Sequence, residues 1–482
     1  MKLKYDMLSR TGEKTGSGKT ARRRSFLCFA AAVLTLSFAG CATHTDLPPA
    51  TGAPKTAAEN SASTEAASPT GNASPGTASP AATADMPYIT EFSTPVPENT
   101  GAGQYIDALA MPDGLIMSPE EIRADNARML SECSALCDIN DVPQSMTGEE
   151  LTALITGAKV PALPKYDSTG AEITREELDG ILALRNTGAV NGANPVKLGV
   201  CVERAGLRSL PSVRSFYDRP DYRYDRLQET EIYAGMPLWV LHTSTDGNWL
   251  YVRSYFYGGW ILSRSVAVTE DRELWNRFAS PDIFAVITEP LAKLGSVYYD
   301  MGVKLPMYGA PGPGSDTLPV LIPERDAEGH LTVSRANVPK TICREGFLPY
   351  TYRNFIIQAF KYEGMPYGWG GLDNGVDCSS FVASVFRVFG FEFPRNTGEQ
   401  RVTVGENRDV SSLTDAEKEA LLKAWGAAAP SAVYLKTHVM LYLGTADGRL
   451  MFIHAPSVGR SVTVSARTPE EIIAVCRIGG QV

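Results

Sequence analysis

The sequence predicts an α+β protein with several domains, and three observations support this. A chain of 482 residues is too long for a single hydrophobic core and indicates three or four folded units. Short alternating strands separated by Gly and Asp-Gly turns fill the middle of the chain, from about residue 196 to residue 341. From about residue 348 onward, an apolar helical pattern is followed by further alternating strands. We therefore expect two small β-barrels and a mixed C-terminal domain, behind a mostly helical or irregular N-terminal region.

The first 85 residues are typical of an export signal followed by a linker. Arginines 22 to 24 precede the apolar run FLCFAAAVLTLSFAG, so we predict a signal peptide over residues 1–40. A transmembrane anchor is the alternative, although the run is short for one. FAGC resembles a bacterial lipobox, which implies cleavage before Cys41 and lipidation of that cysteine. Residues 41–85 are mostly Ala, Thr, Ser and Pro, and this composition predicts a disordered tether.

Residues 86–195 contain two helical patterns, one opening at Ser118 with Glu121 in its first turn and one opening at Thr174. Cys133 and Cys137 lie one helical turn apart, so they could pair, stay as buried thiols, or bind a metal. Once the cysteines of the signal, the lipobox and the helix described below are set aside, five remain. Five cysteines cannot all pair within one chain, so a disulfide framework is not expected. The five are Cys133, Cys137, Cys201, Cys343 and Cys476.

Residues 196–270 read as a small β-barrel and resemble a bacterial SH3 domain. The segment TEIYAGMPLWVLHTSTDGNWLYVRSYFYGGWILSRSVAVT has short strands, an Asp-Gly turn before Asn248 and Trp249, and a Gly-Gly-Trp before its last strand. Residues 283–341 show the same pattern of short strands separated by turns, and we predict a second, diverged barrel of the same kind. The loop FYDRPDYRYDRLQ in the first barrel is long, polar and aromatic, as a binding loop would be.

The C-terminal domain carries the residues that indicate chemistry. Cys378 opens a helix whose apolar positions are Phe381, Val382, Val385, Phe386 and Phe389. The positive end of the helix dipole favours thiolate over thiol, which favours attack on a carbonyl carbon. The alternative is that this cysteine is a small buried hydrophobic residue.

Two histidines favour the catalytic interpretation. KTHVMLYLG places His438 at the start of an alternating strand, and RLMFIHAPSVG places His454 on the next strand, after a TADG hairpin turn. A cysteine, a histidine and a second polar residue that orients the first form a set of nucleophile, base and orienter. The sequence therefore predicts a cysteine hydrolase or transferase.

At these residues the chain resembles the NlpC/P60 family of papain-like cysteine peptidases. The blocks YGWGG, DCSSF, HVMLYLG and IHAPSVG match those of the family in order, whereas permuted relatives place the His before the Cys. The resemblance implies that Cys378 is the nucleophile, His438 the general base and His454 the residue that orients it. It also implies that the Tyr367 hydroxyl helps to stabilise an oxyanion. Two departures are Ser380 in place of a usual Gly, and PSAVYLKTH in place of the usual Pro-Gly-Asp-Leu block.

The resemblance also implies a set of substrate contacts. The block PRNTGEQ stands where relatives bind the α-carboxylate of a D-glutamyl residue, which assigns that role to Asn396 and Thr397, with Ser379 beside the nucleophile. Asp377 has the charge to hold a substrate ammonium group, and a helix cap is its alternative role. In relatives the barrel loop closes over the cleft and binds a free amine. The candidates for contacting that amine are Asp225 and Tyr257.

The activity implied is hydrolysis of the amide between γ-D-glutamate and a diamino acid in bacterial cell-wall stem peptides, with meso-diaminopimelate as the expected diamino acid. If the first barrel recognises an amine, peptides with a free N-terminal L-Ala are preferred. A lipid anchor at Cys41 would place the enzyme at the periplasmic face of the envelope, on the outer membrane. No metal or cofactor is implied, and residues 86–195 resemble the N-terminal clip region of multi-domain relatives. The alternatives are an inactive wall-binding lipoprotein and a lipid acyl hydrolase or transferase.

Overall fold

The computed structural model describes residues 90–92, 101–222, 224–457 and 461–480. The predicted signal peptide, the lipidation site Cys41 and the predicted tether lie outside these residues. Within them, no helix combines the length and the apolar character that crossing a bilayer requires.

The N-terminal region contains the two predicted helices and two more that the sequence reasoning missed. Its elements are β1 (Thr90–Phe92), α1 (Ala102–Asp107), β2 (Leu115–Met117), α2 (Pro119–Glu132), β3 (Ser145–Thr147), α3 (Gly148–Gly157), α4 (Arg175–Ala183) and β4 (Ala193–Pro195). Helices α2, α3 and α4 each begin at a capping box, in which a Ser or Thr hydroxyl and a Glu carboxylate exchange backbone hydrogen bonds. The missed helix α3 has the same TxxE signal at Thr147 and Glu150.

The two neighbouring cysteines of this region are buried free thiols, one of the three alternatives left open by the sequence. The Cys137 thiol contacts the Ser254 carbonyl oxygen, with 3.3 Å between Sγ and O. Cys133 follows the last residue of α2 and caps that helix through its backbone N–H. Both side chains therefore contribute to packing.

The first β domain has one antiparallel sheet of seven strands in the order β11-β5-β8-β9-β10-β6-β7. Its elements are β5 (Lys197–Cys201), β6 (Ala205–Arg208), β7 (Gln228–Ile232), β8 (Pro237–Thr243), β9 (Trp249–Arg253), β10 (Gly258–Leu262), β11 (Val266–Thr269) and α5 (Arg272–Ala279). The predicted Asp-Gly turn joins β8 to β9, with Gly247 at a φ of +70°. Trp260 and Trp275 are fully buried in the core of this domain. The predicted polar and aromatic loop connects β6 to β7.

The second β domain contains the predicted strands, but they are divided among small sheets. Its strands are β12 (Phe284–Ile287), β13 (Leu291–Leu294), β14 (Val297–Asp300), β15 (Lys304–Pro306), β16 (Thr317–Arg325), β17 (Leu331–Pro339) and β18 (Cys343–Glu345). One sheet has the order β15-β12-β18, and β16 pairs with β17 as a long hairpin. Its likeness to an SH3 barrel stays a prediction.

The C-terminal domain places helix α7 against an antiparallel sheet in the order β20-β25-β21-β22-β23-β24. Its elements are β19 (Tyr350–Thr351), α6 (Tyr352–Phe360), α7 (Cys378–Arg387), α8 (Thr397–Thr403), β20 (Glu406–Asp409), α9 (Asp415–Ala428), β21 (Ser431–Tyr434), β22 (Val439–Ala446), β23 (Arg449–His454), β24 (Thr463–Arg467) and β25 (Ala474–Arg477). The predicted apolar face of α7 is confirmed, since Phe381, Val382, Val385 and Phe386 are fully buried. The predicted hairpin is also confirmed, because β22 pairs with β23 across a turn in which Asp447 and Gly448 both have positive φ.

Among its described residues, the N-terminal region has no sheet of its own apart from a short β3 and β4 pair. It contacts the domains that follow it in the chain. Strand β1 pairs with β13 of the second β domain, and β2 pairs with β19 of the C-terminal domain. The ring of Tyr105 on α1 packs against Phe360 on α6 with centroids 5.8 Å apart. The region therefore contacts both the second β domain and the C-terminal domain, and its identity as the clip region of the resemblance stays a prediction.

The second β domain approaches the end of α7 so closely that only glycine fits at the contact. Gly302 has a φ of +84°, and a Cβ added there would lie 2.6 Å from the Cβ of Arg387. The Arg387 guanidinium donates to the Met301 carbonyl over 3.1 Å, next to the contact.

We expect Gly302→Ala to lower the free energy of unfolding more than Gly295→Ala. Gly295 is a matched control, because it also has positive φ, +60°, but an added Cβ meets nothing within 4 Å. Both changes carry the strain of a left-handed conformation, and only the first adds a clash, typically worth about 1–3 kcal/mol. Urea unfolding of the full chain measures the difference. An equal decrease in the free energy of unfolding in the two variants would show that the contact between Gly302 and Arg387 adjusts to the added methyl group at little cost.

Candidate active site

The candidate nucleophile Cys378 is the first residue of α7 and is half-buried. The helix begins there because the Asp377 carboxylate accepts a hydrogen bond from the Ser380 backbone N–H over 2.9 Å. The Ser380 hydroxyl in turn accepts from the Asp377 N–H, which completes a capping box. Ser380, the departure from the usual glycine, therefore has a structural role of its own.

Burial, followed by the charge of Asp377, raises the pKa of the Cys378 thiol to about 11. The Val439 backbone N–H and the Thr397 hydroxyl, whose oxygen lies 3.8 Å from Sγ, oppose this effect. Desolvation therefore opposes the stabilisation of the thiolate that is expected from the helix terminus. The cysteine rests as a thiol, and its proton has to move to a base before attack.

The two predicted histidines are hydrogen-bonded to each other. His438 Nε2 lies 2.7 Å from His454 Nδ1, and His454 Nε2 lies 2.8 Å from the Ser465 hydroxyl oxygen. His454 is buried, whereas His438 is half-buried. In the tautomer in which each imidazole donates from Nε2 to the next group, His438 Nδ1 carries no proton and can act as the base. Ser465 was missed by the sequence analysis; it lies on β24 two residues beyond Thr463, the cross-strand partner of His454, and is therefore a diagonal neighbour of that histidine.

Both imidazoles are neutral at physiological pH. Burial lowers the pKa of His438 to about 4, and burial with the charge of His438 lowers the pKa of His454 to about 3. The exposed Arg467 guanidinium on β24 also lowers the pKa of both rings. A neutral imidazole can accept a proton, so this pair is poised as a base and its orienter.

Asp377 is held by a cation that belongs to the protein. The Arg395 guanidinium donates to both of its carboxylate oxygens, over 2.5 Å and 3.1 Å, and also to the Ser379 hydroxyl over 2.8 Å. The three side chains are buried. The alternative role as a helix cap is therefore the one in the structure, and Asp377 needs no substrate ammonium to balance its charge. Ser379 is likewise engaged within the protein.

Asn396 and Thr397 lie at the start of α8, beside the nucleophile. Asn396 is the N-cap, and its backbone N–H donates to the Glu399 carboxylate over 3.2 Å. Both predicted carboxylate-binding side chains are half-buried, and the Thr397 hydroxyl is the one next to the sulfur. Arg395, the residue before them, was not singled out from the sequence.

An aromatic cluster borders the nucleophile on the side of the first β domain. The Tyr224 ring, in the predicted binding loop, lies 6.1 Å from the ring of Tyr367 and 5.1 Å from that of Trp369. Burial, followed by the charge of Asp377, raises the pKa of Tyr367, so its hydroxyl keeps its proton and remains a donor. The Trp369 indole N–H is buried without a hydrogen-bond partner in the described part of the chain. The loop therefore does reach the cleft.

The two candidates for amine binding have different surroundings. Asp225 is 1% exposed and accepts from the Phe216 and Leu227 backbone N–H groups and from Arg208, over 2.7 Å to the guanidinium. It anchors the loop internally, and its burial leaves no surface for a ligand. Tyr257 is half-buried, and its hydroxyl donates to the Glu229 carboxylate over 2.6 Å. Glu229, which the sequence analysis missed, is the half-buried carboxylate on this wall of the cleft.

We expect Arg467→Gln to raise the pKa of His438 above about 4, because it removes a cation that disfavours protonation of the ring. NMR titration of the imidazole resonances measures this without a substrate. Arg449→Gln is the control, since Arg449 is an exposed arginine at the start of the neighbouring strand β23. An unchanged or lower pKa in Arg467→Gln would show that the guanidinium does not act on this ring.

Comparisons with known proteins agree with this geometry. Residues 364–472 match the model of the NlpC/P60 family, and residues 214–262 match that of the SH3 domain, SH3b1 type. A gamma-D-glutamyl-L-lysine dipeptidyl-peptidase of Bacillus subtilis (strain 168) is 33% identical over 132 residues, which cover 26% of this chain and 41% of that protein. The protein of the same name from Bacillus cereus is 26% identical over 220 residues, covering 43% of this chain and 59% of that protein.

The chain thus spans about half the length of these curated relatives. Among solved structures, an NlpC/P60 endopeptidase from Photobacterium damselae subsp. piscicida superposes with a TM-score of 0.59, covering 77% of this chain and 89% of that one. At 20% identity, this likeness concerns the fold alone. With the model matches, the C-terminal domain belongs to the NlpC/P60 family of cysteine peptidases, and the first β domain is an SH3 domain of the SH3b1 type.

Proposed function

We propose that this chain hydrolyses the amide between γ-D-glutamate and a diamino acid in cell-wall stem peptides. The observation that carries the proposal is a half-buried thiol at a helix N-terminus, in a cleft with a neutral His438, His454 and Ser465 chain. The substrate class follows the printed names of the relatives, which specify a γ-D-glutamyl bond to L-lysine. We propose that meso-diaminopimelate, and not lysine, follows the glutamate in the substrate. Comparing the cleavage rates of the two peptides tests this choice.

The chemistry proceeds as acyl transfer through a thioester. His438 Nδ1 takes the Cys378 proton as the sulfur attacks the amide carbon. The resulting oxyanion is stabilised by the Tyr367 hydroxyl and by backbone N–H groups at the start of α7. The C–N bond then breaks, and His438 returns the proton to the departing amine. Water, deprotonated by His438, hydrolyses the thioester and regenerates the thiol.

Recognition of a free N-terminal amine is supported by the Glu229 and Tyr257 pair. Burial raises the pKa of Glu229, so this carboxylate lacks a full counter-charge in the free enzyme. The two nearby guanidinium groups have other partners, because Arg208 pairs with Asp225 and Arg395 pairs with Asp377. An alkylammonium group bound there would supply the missing charge. We therefore assign the amine of an L-Ala end to Glu229 and Tyr257, and Asp225 to the support of the loop.

The α-carboxylate of the D-glutamyl residue is assigned to the other side of the sulfur. The Thr397 hydroxyl oxygen lies 3.8 Å from the sulfur, and Asn396 is the residue that caps α8 just before it. Both side chains are half-buried, so they can donate to a ligand without becoming exposed to bulk water. Ser379 contributes indirectly, because its hydroxyl is bound to Arg395.

The site favours a peptidase over the two alternatives. An inactive wall-binding protein would need no base and no orienter, but all three catalytic positions are filled. The polar pair Glu229 and Tyr257 supports a polar substrate over the acyl chain that a lipid hydrolase or transferase would bind. An extracytoplasmic location suits a cell-wall hydrolase, and we propose that lipidation at Cys41 provides the anchor on the outer membrane.

The first test is hydrolysis of L-Ala-γ-D-Glu-diaminopimelate, with the lysine peptide alongside. We expect the products L-Ala-γ-D-Glu and free diamino acid by mass spectrometry, and loss of turnover in Cys378→Ala. Cys343→Ala is the control, because Cys343 is a buried free thiol in the second β domain. Retained activity in Cys378→Ala, or cleavage at another bond, would contradict the proposal.

The second test concerns the amine. We expect wild type to prefer the free peptide over its N-acetylated form and over intact sacculi, and Glu229→Gln to reduce that preference by about tenfold, the size of one charge-assisted contact. Glu270→Gln, at an exposed glutamate that follows β11, should retain it. The ratio of kcat/KM for the free and the acetylated peptides is the measurement. If the wild-type enzyme cleaves the free and the acetylated peptides with equal kcat/KM, the assignment of the amine to Glu229 and Tyr257 is wrong.

A further inference from the structure

The segment between Tyr367 and the nucleophile is a turn with several strained backbone positions. Residues 368–375, here called the glycine turn, include two pairs of adjacent residues with positive φ. These are Gly370 at +58°, Gly371 at +84°, Asp373 at +57° and Asn374 at +55°. Such conformations are costly for residues other than glycine and persist only where the surroundings impose them.

The surroundings come mainly from outside the C-terminal domain. Arg204, which lies between β5 and β6 of the first β domain, donates to the Gly371 carbonyl over 2.8 Å and to the Gly375 carbonyl over 3.2 Å. Its Nε donates to the Asp300 carboxylate of the second β domain over 3.1 Å. One buried guanidinium thus connects three parts of the chain and spans the turn from its middle to its end.

The same wall leaves no space for the turn to shift. A Cβ added at Gly371 would lie 2.3 Å from Cγ of Glu231, and one added at Gly370 would lie 2.8 Å from Cγ of Gln228. The Gln228 side-chain amide donates to the Gly370 carbonyl over 3.0 Å. Strand β7 therefore packs directly onto the backbone of the turn.

The turn is connected to the reacting groups at both ends. The Gly370 N–H donates to the Asp377 carboxylate over 3.1 Å, and Asp377 caps the helix that presents the nucleophile. Tyr367 immediately precedes the turn and bridges to Val376, while the Gly368 N–H donates to the Val376 carbonyl over 3.1 Å. A displacement of the turn would therefore reach both the oxyanion donor and the cap of α7.

We infer that Arg204 is a positioning residue for this active site, and that the two β domains form part of the catalytic apparatus by holding the glycine turn in register with Cys378. The guanidinium suits this role because its planar fork bonds two carbonyls and a carboxylate at once. The expected effect on turnover rests on the proposed function. The effect on the glycine turn itself can be measured without a substrate.

Arg204→Lys is the decisive variant. A lysine keeps the positive charge that the buried Asp300 and Glu231 carboxylates require, but it cannot bond Gly371 and Gly375 together. Arg264→Lys is the matched control, because Arg264 is an exposed arginine of the same domain, 75% exposed, near Glu203. Gln228→Met removes one donor to the turn without changing any charge and serves as a second, independent variant.

We expect amide hydrogens of residues 366–377 to exchange about tenfold faster in Arg204→Lys, by mass spectrometry on the full chain, with no change in Arg264→Lys. On the peptide substrate, kcat should fall by about tenfold or more, while KM changes by less than about twofold. Gln228→Met should change both quantities in the same direction. Rates are taken per folded molecule, with the folded fraction from thermal unfolding.

Unchanged exchange in Arg204→Lys and Gln228→Met would overturn the inference, whatever the activity. A loss of kcat that only follows the folded fraction, or an effect confined to KM, would also overturn it. If wild type fails to cleave any γ-D-glutamyl peptide, the proposed function fails, while the exchange experiment still decides whether Arg204 holds the turn.

Discussion

The buried ion pair between Arg395 and Asp377 is the interaction on which the geometry of the cleft depends. The Asp377 carboxylate caps α7, accepts the Gly370 N–H of the glycine turn and binds the Arg395 guanidinium. The guanidinium also donates to the Ser379 hydroxyl and, from Nε, to the Thr230 hydroxyl on β7 over 2.7 Å. A pair removed from water in this way contributes little net stability, but losing one partner leaves an uncompensated charge and typically costs about 3–5 kcal/mol. The pair therefore imposes one arrangement of nucleophile, turn and barrel wall.

Burial also sets the protonation states of the catalytic groups. With the thiol pKa raised to about 11 and the His438 pKa lowered to about 4, the free site holds a neutral thiol and a neutral base. Neither group carries a charge that needs solvation, so the cleft can be relatively dry without a penalty. Charge develops only when the proton moves and the sulfur attacks, at which point the helix N-terminus, the Tyr367 hydroxyl and the histidine chain can stabilise it. This is consistent with catalysis by groups that interact more strongly with the transition state than with the resting enzyme.

The cleft is a shared product of domains far apart in the chain. The C-terminal domain supplies the thiol and the imidazoles, and the first β domain supplies Tyr224, Tyr257 and Glu229 together with the contacts to the glycine turn. The second β domain holds Arg204 through Asp300 and packs Gly302 against the end of α7. The N-terminal region pairs strands with two of these units and so limits their relative movement. An SH3-type domain here forms a wall of the cleft in addition to any role in binding the cell wall.

By itself, the sequence determined the elements whose cause is local. The apolar spacing after Cys378 defined α7, the Asp-Gly turns defined two hairpins, and Ser118 and Thr174 marked helix starts, because caps, turns and periodicity act over a few residues. The order of motifs also selected Cys378, His438 and His454. The tertiary structure alone decided what depends on long-range contact and burial. It paired Asp377 with Arg395, buried Asp225, and left Glu229 half-buried beside Tyr257. It also placed Arg204 against the glycine turn and Ser465 against His454. It also kept the thiol protonated, because the cost of desolvating a charge depends on everything packed around it and is not encoded in any one stretch of the chain.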